Sequence, residues 1–160
     1  MSSSDRAYTT ALKLLARREL AEAQLRTRLS RRKFDEAEIE TALDQLRRER
    51  ALDDRRTALA CARTEVHINH RGRARVIRRI ESLGISREIA REAAAQVFAE
   101  LDERALLEQV LDRRLRHGQS LTDPAVFRRL HRYLIGQGFD AELVATLLRQ
   151  RARNLASDSL

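Results

Sequence analysis

"LRTRLSRRKFDEAEIETAL" at residues 25–43 and "LHRYLIGQGFDAELVATLL" at residues 130–148 follow one pattern in two distant parts of the chain. Aligned without gaps, Leu25 meets Leu130, Leu29 meets Leu134, Phe34-Asp35 meets Phe139-Asp140, Ile39 meets Val144 and Leu43 meets Leu148. A third copy lies between them. "VIRRIESLGISREIAREAA" at 76–94 places Val76, Ile80, Ile85-Ser86, Ala90 and Ala94 in the same frame. Counting from Phe34 to Ile85 and from Ile85 to Phe139 gives spacings of 51 and 54 residues, the signature of a tandem repeat.

The repeat has a physical reason. Asp35 followed three residues later by Glu38 has capping-box spacing, in which each side chain satisfies an orphan backbone N–H of a helix start. Phe34 then precedes the cap and Ile39 is the fourth helical residue, the pair that forms a hydrophobic staple. Phe139 and Val144 around Asp140 repeat the device, and Ile85 and Ala90 around Ser86 keep a smaller version. The copies therefore share a turn geometry as well as a hydrophobic pattern.

Working outward, the apolar spacing predicts nine helices and no strands. The first covers about 4–18, with Ala11, Leu12 and Leu15 on its inner face, and the second about 21–32 around Leu25 and Leu29. The third follows Asp35. A fourth is capped by Asp53 or Asp54, turns Leu59, Ala62 and Val66 inward and ends through Gly72. The fifth stops at Gly84, a residue suited to a left-handed C-terminus. The sixth starts at Arg87, and the seventh runs from about 102 to 116, where His117-Gly118 closes it. Pro124 opens the eighth behind Thr122 or Asp123, and the ninth ends near Arg151.

The expected fold is all-α: three tandem three-helix repeats at 1–52, 53–101 and 102–153, with a frayed tail at 154–160. Each unit has too little core to stand well alone, so neighbours should share interfaces. The result is an elongated string with room to bend into an arc.

Composition narrows the function. Charged residues make up 35% of 160, high for a compact globule, and the net charge is +8. Among the 32 basic residues only Lys13 and Lys33 are lysines. Arginine forks match carboxylate and phosphate, so the expected partner is acidic, either nucleic acid or a protein surface. Cys61 is alone, which excludes an intrachain disulfide and fits a reducing cytoplasm. "MSSSDRAYTT" has no apolar core of a signal sequence, and no apolar run approaches a membrane span, so a cytoplasmic protein without membrane contact is expected.

Little in the chain suggests catalysis. Cys61, Glu65, His67 and His70 lack the further ligands that zinc requires, so no metal site and no cofactor is expected. Asp53-Asp54 precedes a helix and reads as a cap rather than a carboxylate pair. His117 sits beside a helix-ending glycine, and His131 is expected on the exposed side of its helix. Tyr8 and Tyr133 read as core and rim residues rather than a base-stacking platform. With no phosphate loop or nucleophile elbow, the chain is not expected to be an enzyme.

The basic clusters are the candidate partner-binding residues. Arg31, Arg32 and Lys33 close the second helix, and Arg71, Arg73, Arg75, Arg78 and Arg79 surround the fifth. Positions 71, 75, 78 and 79 fall three or four apart, a stripe opposite Val76, Ile77 and Ile80 with no acid until Glu81.

Taken in order, "ALKLLARREL", "LRTRL", "LDDRRTA", "RGRARVIRRIESLGIS" and "FRRLHRYLIGQGFD" resemble the RecX family of bacterial recombination regulators, over roughly Ala7 to Arg151. Thr57 stands where an aromatic is usual in that pattern, Ala21 where a serine cap is usual, and Gly72 is what survives of a glycine-rich turn. The resemblance implies three three-helix repeats and a regulator that binds the RecA recombinase and the RecA–DNA filament. It further implies inhibition of ATP hydrolysis, strand exchange and coprotease activity, by occupying the filament groove or blocking its extension. A monomer is expected, with pairing between chains as the alternative.

The competing reading is a helical DNA-binding protein whose arginines hold phosphates of single- or double-stranded DNA without RecA. Against it, Asn occurs only at 69 and 154 and Gln is sparse, so no helix carries the Asn, Gln and Arg set that reads base edges. An adaptor for another acidic protein is a third reading.

Overall fold

The three expected caps all form. In the computed structural model, which describes residues 2–157, Asp35 and Glu38 close a reciprocal box at 2.8 Å in each direction. Ser86 accepts from the Ile89 N–H at 3.3 Å, and Asp140 from the Glu142 and Leu143 N–H groups at 3.0 Å. The residue before each turn's staple is left-handed: Lys33 has φ 68°, Gly84 85° and Gly138 97°.

These turns sit within an all-helical chain, with nine helices among the described residues. They are α1 (Ser3–Leu15), α2 (Glu22–Arg31), α3 (Glu36–Arg48), α4 (Asp54–His67), α5 (Arg73–Glu81), α6 (Arg87–Ala99), α7 (Glu103–Arg114), α8 (Pro124–Gly136) and α9 (Ala141–Ser157). Close packing runs in consecutive trios: α1 on α3 with α2 against both, α4 on α6 with α5 against both, and α7, α8 and α9 together.

Several local expectations change. The inner face of α1 is Ala7, Ala11 and Leu14, with Leu15 half-buried against the same cluster as expected, while Leu12 is 37% exposed. Gly72 does not end α4. That helix stops at Ile68, His70 takes the left-handed turn at φ 53°, and Gly72 is the N-cap of α5. The last helix continues through Ser157, so 154–157 are helical and the rest of the expected tail lies outside the described residues.

The buried residues form two clusters. One belongs to the first trio, around Leu25, Leu29, Ile39, Leu43 and Leu46. The other runs continuously from Ala58 in α4 to Leu148 in α9 and also takes in Ala21. The second and third trios thus share one core, and the first inserts a single alanine into it. The accessible surface is 9946 Å², roughly a fifth more than the ~8,200 Å² of a compact monomer of 18.5 kDa. An elongated arrangement accounts for the excess.

Both junctions are built alike, from a helix start that lacks its own cap. Ala21, before α2, has no side-chain acceptor, and the Glu22 N–H donates instead to Asp54 of α4 at 2.9 Å. Gly72, before α5, also has none, and the backbone N–H groups of Gly72 and Ala74 donate to the carbonyls of Gln137 and Gly138 at 2.9 and 3.1 Å. The second helix of one trio therefore takes its cap from the next. Of the expected aspartate pair, Asp53 caps α4 while Asp54 serves α2.

The outer face of the first trio is a closed ion network. Arg47 holds Glu22 at 2.5 Å and also reaches Glu40 and Asp44, while Arg26 holds Glu40 at 2.5 Å and Glu36. The Arg47 hydrogen bond keeps the Glu22 carboxyl below its ordinary 4.5, and the Arg26 hydrogen bond does the same for Glu40. Folding thus favours the ionised forms. Their stabilisation is complete above pH 4.5 and is lost as acid carries the solution down through the lowered folded values. The thermal midpoint is expected to fall below pH 4.5, and Glu22→Gln with Glu40→Gln should start lower and fall less. A variant whose acid profile matches the wild type would remove these carboxylates from the effect.

Candidate functional site

The arginine cluster expected around α5 divides when its side chains are followed to their partners. Arg73 turns away, its guanidinium 4.9 Å from the Phe98 ring and 3.8 Å from Glu103. Arg75 donates to the Gly136 carbonyl at 3.3 Å, and Arg71 to the Gln137 side chain. Arg79 lies 3.9 Å from Glu65 and donates to Ser82 at 3.4 Å, so the face is not free of acid. Arg78 is exposed, and its side chain has no hydrogen bond or ion pair among the described residues. Helical spacing placed these arginines near one another, but their ends serve different neighbours.

Two clefts bring cations together, one at each junction. At the first, Arg28 and Arg31 of α2 face Ser82, Leu83 and Gly84 of the second trio. Arg79 joins through Ser82, so the structure links the first expected cluster to the second across this boundary. Arg32 and Lys33 are exposed beside it at the helix end, where Arg32 donates to the Arg28 carbonyl at 3.4 Å.

The second cleft, of about 280 Å³, is lined by Asn69, His70, Arg71, Arg113, Arg114 and Tyr133, with Val110 and Gln137 beneath. Two of its arginines are held in place. Gln137 accepts from Arg71, and the Arg114 guanidinium lies 4.5 Å from the Tyr133 ring centre, a cation–π contact. No carboxylate lines the cleft. Three arginines line one cleft whose lining holds no carboxylate, so the cleft suits a phosphate or a carboxylate.

Arg113 and Arg114 were not among the candidates read from sequence. They close α7, far from Arg71 in the chain, and only the docking of α5 on the Gln137-Gly138 turn brings them to it. Tyr133 is the one signal available, an aromatic on a helix without acids. Elsewhere, Tyr8 donates to Glu49 at 2.6 Å as a packing contact, and burial pushes the half-buried Cys61 thiol up, away from reactivity. Among the described residues no three His, Cys, Asp or Glu side chains converge as metal ligands. No helix among them is long and apolar enough to cross a membrane.

This architecture has close counterparts. The chain is 33% identical over 134 residues to the Regulatory protein RecX of Syntrophotalea carbinolica, covering 83% of itself and 88% of that relative. The chain belongs to the RecX family. The RecX protein of Haemophilus influenzae is 26% identical over 148 residues, 92% of this chain and 95% of that one. The family's first three-helix domain matches residues 7–46, which hold most of α1, all of α2 and most of α3. In fold, the chain is similar to the crystal structure of RecX from Lactobacillus salivarius, with a TM-score of 0.80 at 17% identity over 94% of this chain and 97% of that one. The RecX family is a regulatory one, and the Syntrophotalea and Haemophilus relatives carry that role in their names.

Proposed function

We propose that this RecX-family chain binds the RecA recombinase and its nucleoprotein filament and inhibits ATP hydrolysis, strand exchange and coprotease activity. It would thereby modulate recombination, DNA repair and the SOS response in the bacterial cytoplasm. The observation that carries this reading is the match along nearly the whole chain to proteins named Regulatory protein RecX. The protein acts as a monomer of three helical repeats, 1–52, 53–101 and 102–153, and performs no catalysis of its own. The trios of packed helices and the two borrowed caps support that division.

The cationic clefts supply the contacts. Arg31, Arg32, Lys33 and Arg79 present charge at the first junction, and Arg71 with Arg113 and Arg114 at the second. Arg78 adds an exposed charge, while Arg73 and Arg75 act through packing. Filament DNA phosphates or acidic RecA side chains answer these guanidiniums equally well in chemistry.

Filament recognition separates from plain DNA binding by salt. Phosphate contacts release counterions, so binding to bare strands weakens steeply as salt rises. Binding to immobilised RecA–single-strand filaments is expected to persist at salt that releases the protein from the same strand without RecA. Release from both at one salt concentration would favour the DNA-binding reading instead.

A further inference from the structure

The third trio carries a groove of about 470 Å³ between α8 and α9 with a different chemistry from the junction clefts. Its floor is apolar, from half-buried Phe127, Ile135 and Ala145, and its rim is Arg128, Arg132 and Arg149, all exposed. None of the three side chains has a hydrogen bond or ion pair among the described residues. No Asp or Glu occurs between Pro124 and Gly136, so α8 cannot supply one.

The first trio shows what normally answers such cations. In the register that pairs Leu25 with Leu130, the groove positions 127, 131, 145 and 149 fall on Glu22, Arg26, Glu40 and Asp44. There the two guanidiniums of Arg26 and Arg47 are closed by carboxylates of the same face. In the third trio those carboxylates have become Phe127, Ala145 and Arg149. His131 replaces Arg26 and is half-buried in the groove rather than on the exposed side expected from sequence.

The two changes belong together. A merely solvated face would carry cations without an apolar floor, and a packing face would carry the floor without unpaired cations. We propose that the α8–α9 groove docks an acidic protein segment, whose apolar side chain seats on Phe127 and Ile135 while flanking carboxylates pair with Arg128, Arg132 and Arg149. Charge complementarity fixes the sign of the partner, and the first trio supplies an internal example of the carboxylates it would bring. Nucleic acid would satisfy the rim but set a sugar–phosphate chain against Ile135 and Ala145. The inference goes beyond the RecA reading and names no particular partner.

Fluorescence anisotropy on the full chain tests it, with a labelled peptide carrying a Leu-Phe pair within a run of glutamates. A second peptide replaces the pair by serines, and an oligothymidylate serves as the nucleic-acid probe. The anchored peptide is expected to bind about tenfold or more tightly than the serine peptide, each factor of ten being about 1.4 kcal/mol. Ile135→Glu should abolish that difference. Arg128→Glu with Arg132→Glu, both exposed and without side-chain partners among the described residues, should weaken the anchored peptide about tenfold with unchanged helical circular dichroism. Equal binding of the two peptides, or binding that survives the arginine pair, would overturn the proposal. Oligothymidylate binding that depends on Ile135 as strongly as the peptide does would assign the groove to nucleic acid and overturn it too. The assay contains no RecA, so its failure leaves the filament reading standing.

Discussion

Gly138→Ala is expected to destabilise the protein by about 3–5 kcal/mol, the range of substitutions that combine backbone strain with a core clash. Gly138 has φ 97°, where an L side chain is strained. Its Cβ would also lie 2.8 Å from the Gly72 carbonyl oxygen and closer still to the Arg75 backbone nitrogen. Neither can retreat easily, because the α5 N-terminus is held there by backbone bonds from Gly72 and Ala74. Gly118→Ala is the matched control. It has φ 82° but open space around it, so only the left-handed penalty of about 1 kcal/mol should appear. Denaturant unfolding of the two variants checks the difference. Similar losses for both would mean that the junction yields and that the third trio is not locked to the second through this turn.

Lys33 explains why the same turn tolerates a side chain once. It occupies the position of Gly84 and Gly138 and is left-handed like them, yet among the described residues no other trio docks on its turn. At Gly84 a Cβ would strike Ala23 of α2. Among the described residues, these two glycines sit at interfaces and the lysine does not.

The second large effect concerns function. Arg113→Glu combined with Arg114→Glu is expected to weaken filament binding and inhibition at least about tenfold while leaving the fold intact. Both residues are exposed at the end of α7, and Arg114's stack on Tyr133 is worth only about 0.5–1 kcal/mol at such a site. Lost charge-assisted contacts are worth more, about 1.5–3 kcal/mol each. Arg78→Glu alone should do much less, because Arg78 stands outside either cleft. Inhibition curves for the two variants, with circular dichroism as the fold control, decide between them. A stronger effect from Arg78 would return the binding site to the outer face of α5.

Much of the fold was legible because it is written locally. Phe34-Asp35, Ile85-Ser86 and Phe139-Asp140 announce their helix starts with residues a few positions apart, and all three caps form. The junctions were not legible, since their information is shared between repeats. Ala21 and Gly72 look like poor caps until Asp54 and the Gln137-Gly138 carbonyls are seen to serve them. Misreading Gly72 as a helix end follows from the same cause. The arginines illustrate the limit most clearly: helical spacing put Arg75 on a stripe with Arg73 in the cluster beside it, but only the Gly136 carbonyl, Phe98 and Glu103 reveal that both are engaged within the molecule.

The proposed function requires this chain to regulate RecA rather than merely coat DNA. Its most direct test is RecA's single-strand-dependent ATP hydrolysis during titration with the protein, with single-strand binding measured separately without RecA. Inhibition is expected at protein levels well below RecA, too little to mask the DNA, and the Arg113→Glu and Arg114→Glu pair should shift the curve to higher concentration. Unchanged hydrolysis at concentrations where the protein already saturates the strand would mean that it coats DNA without regulating RecA.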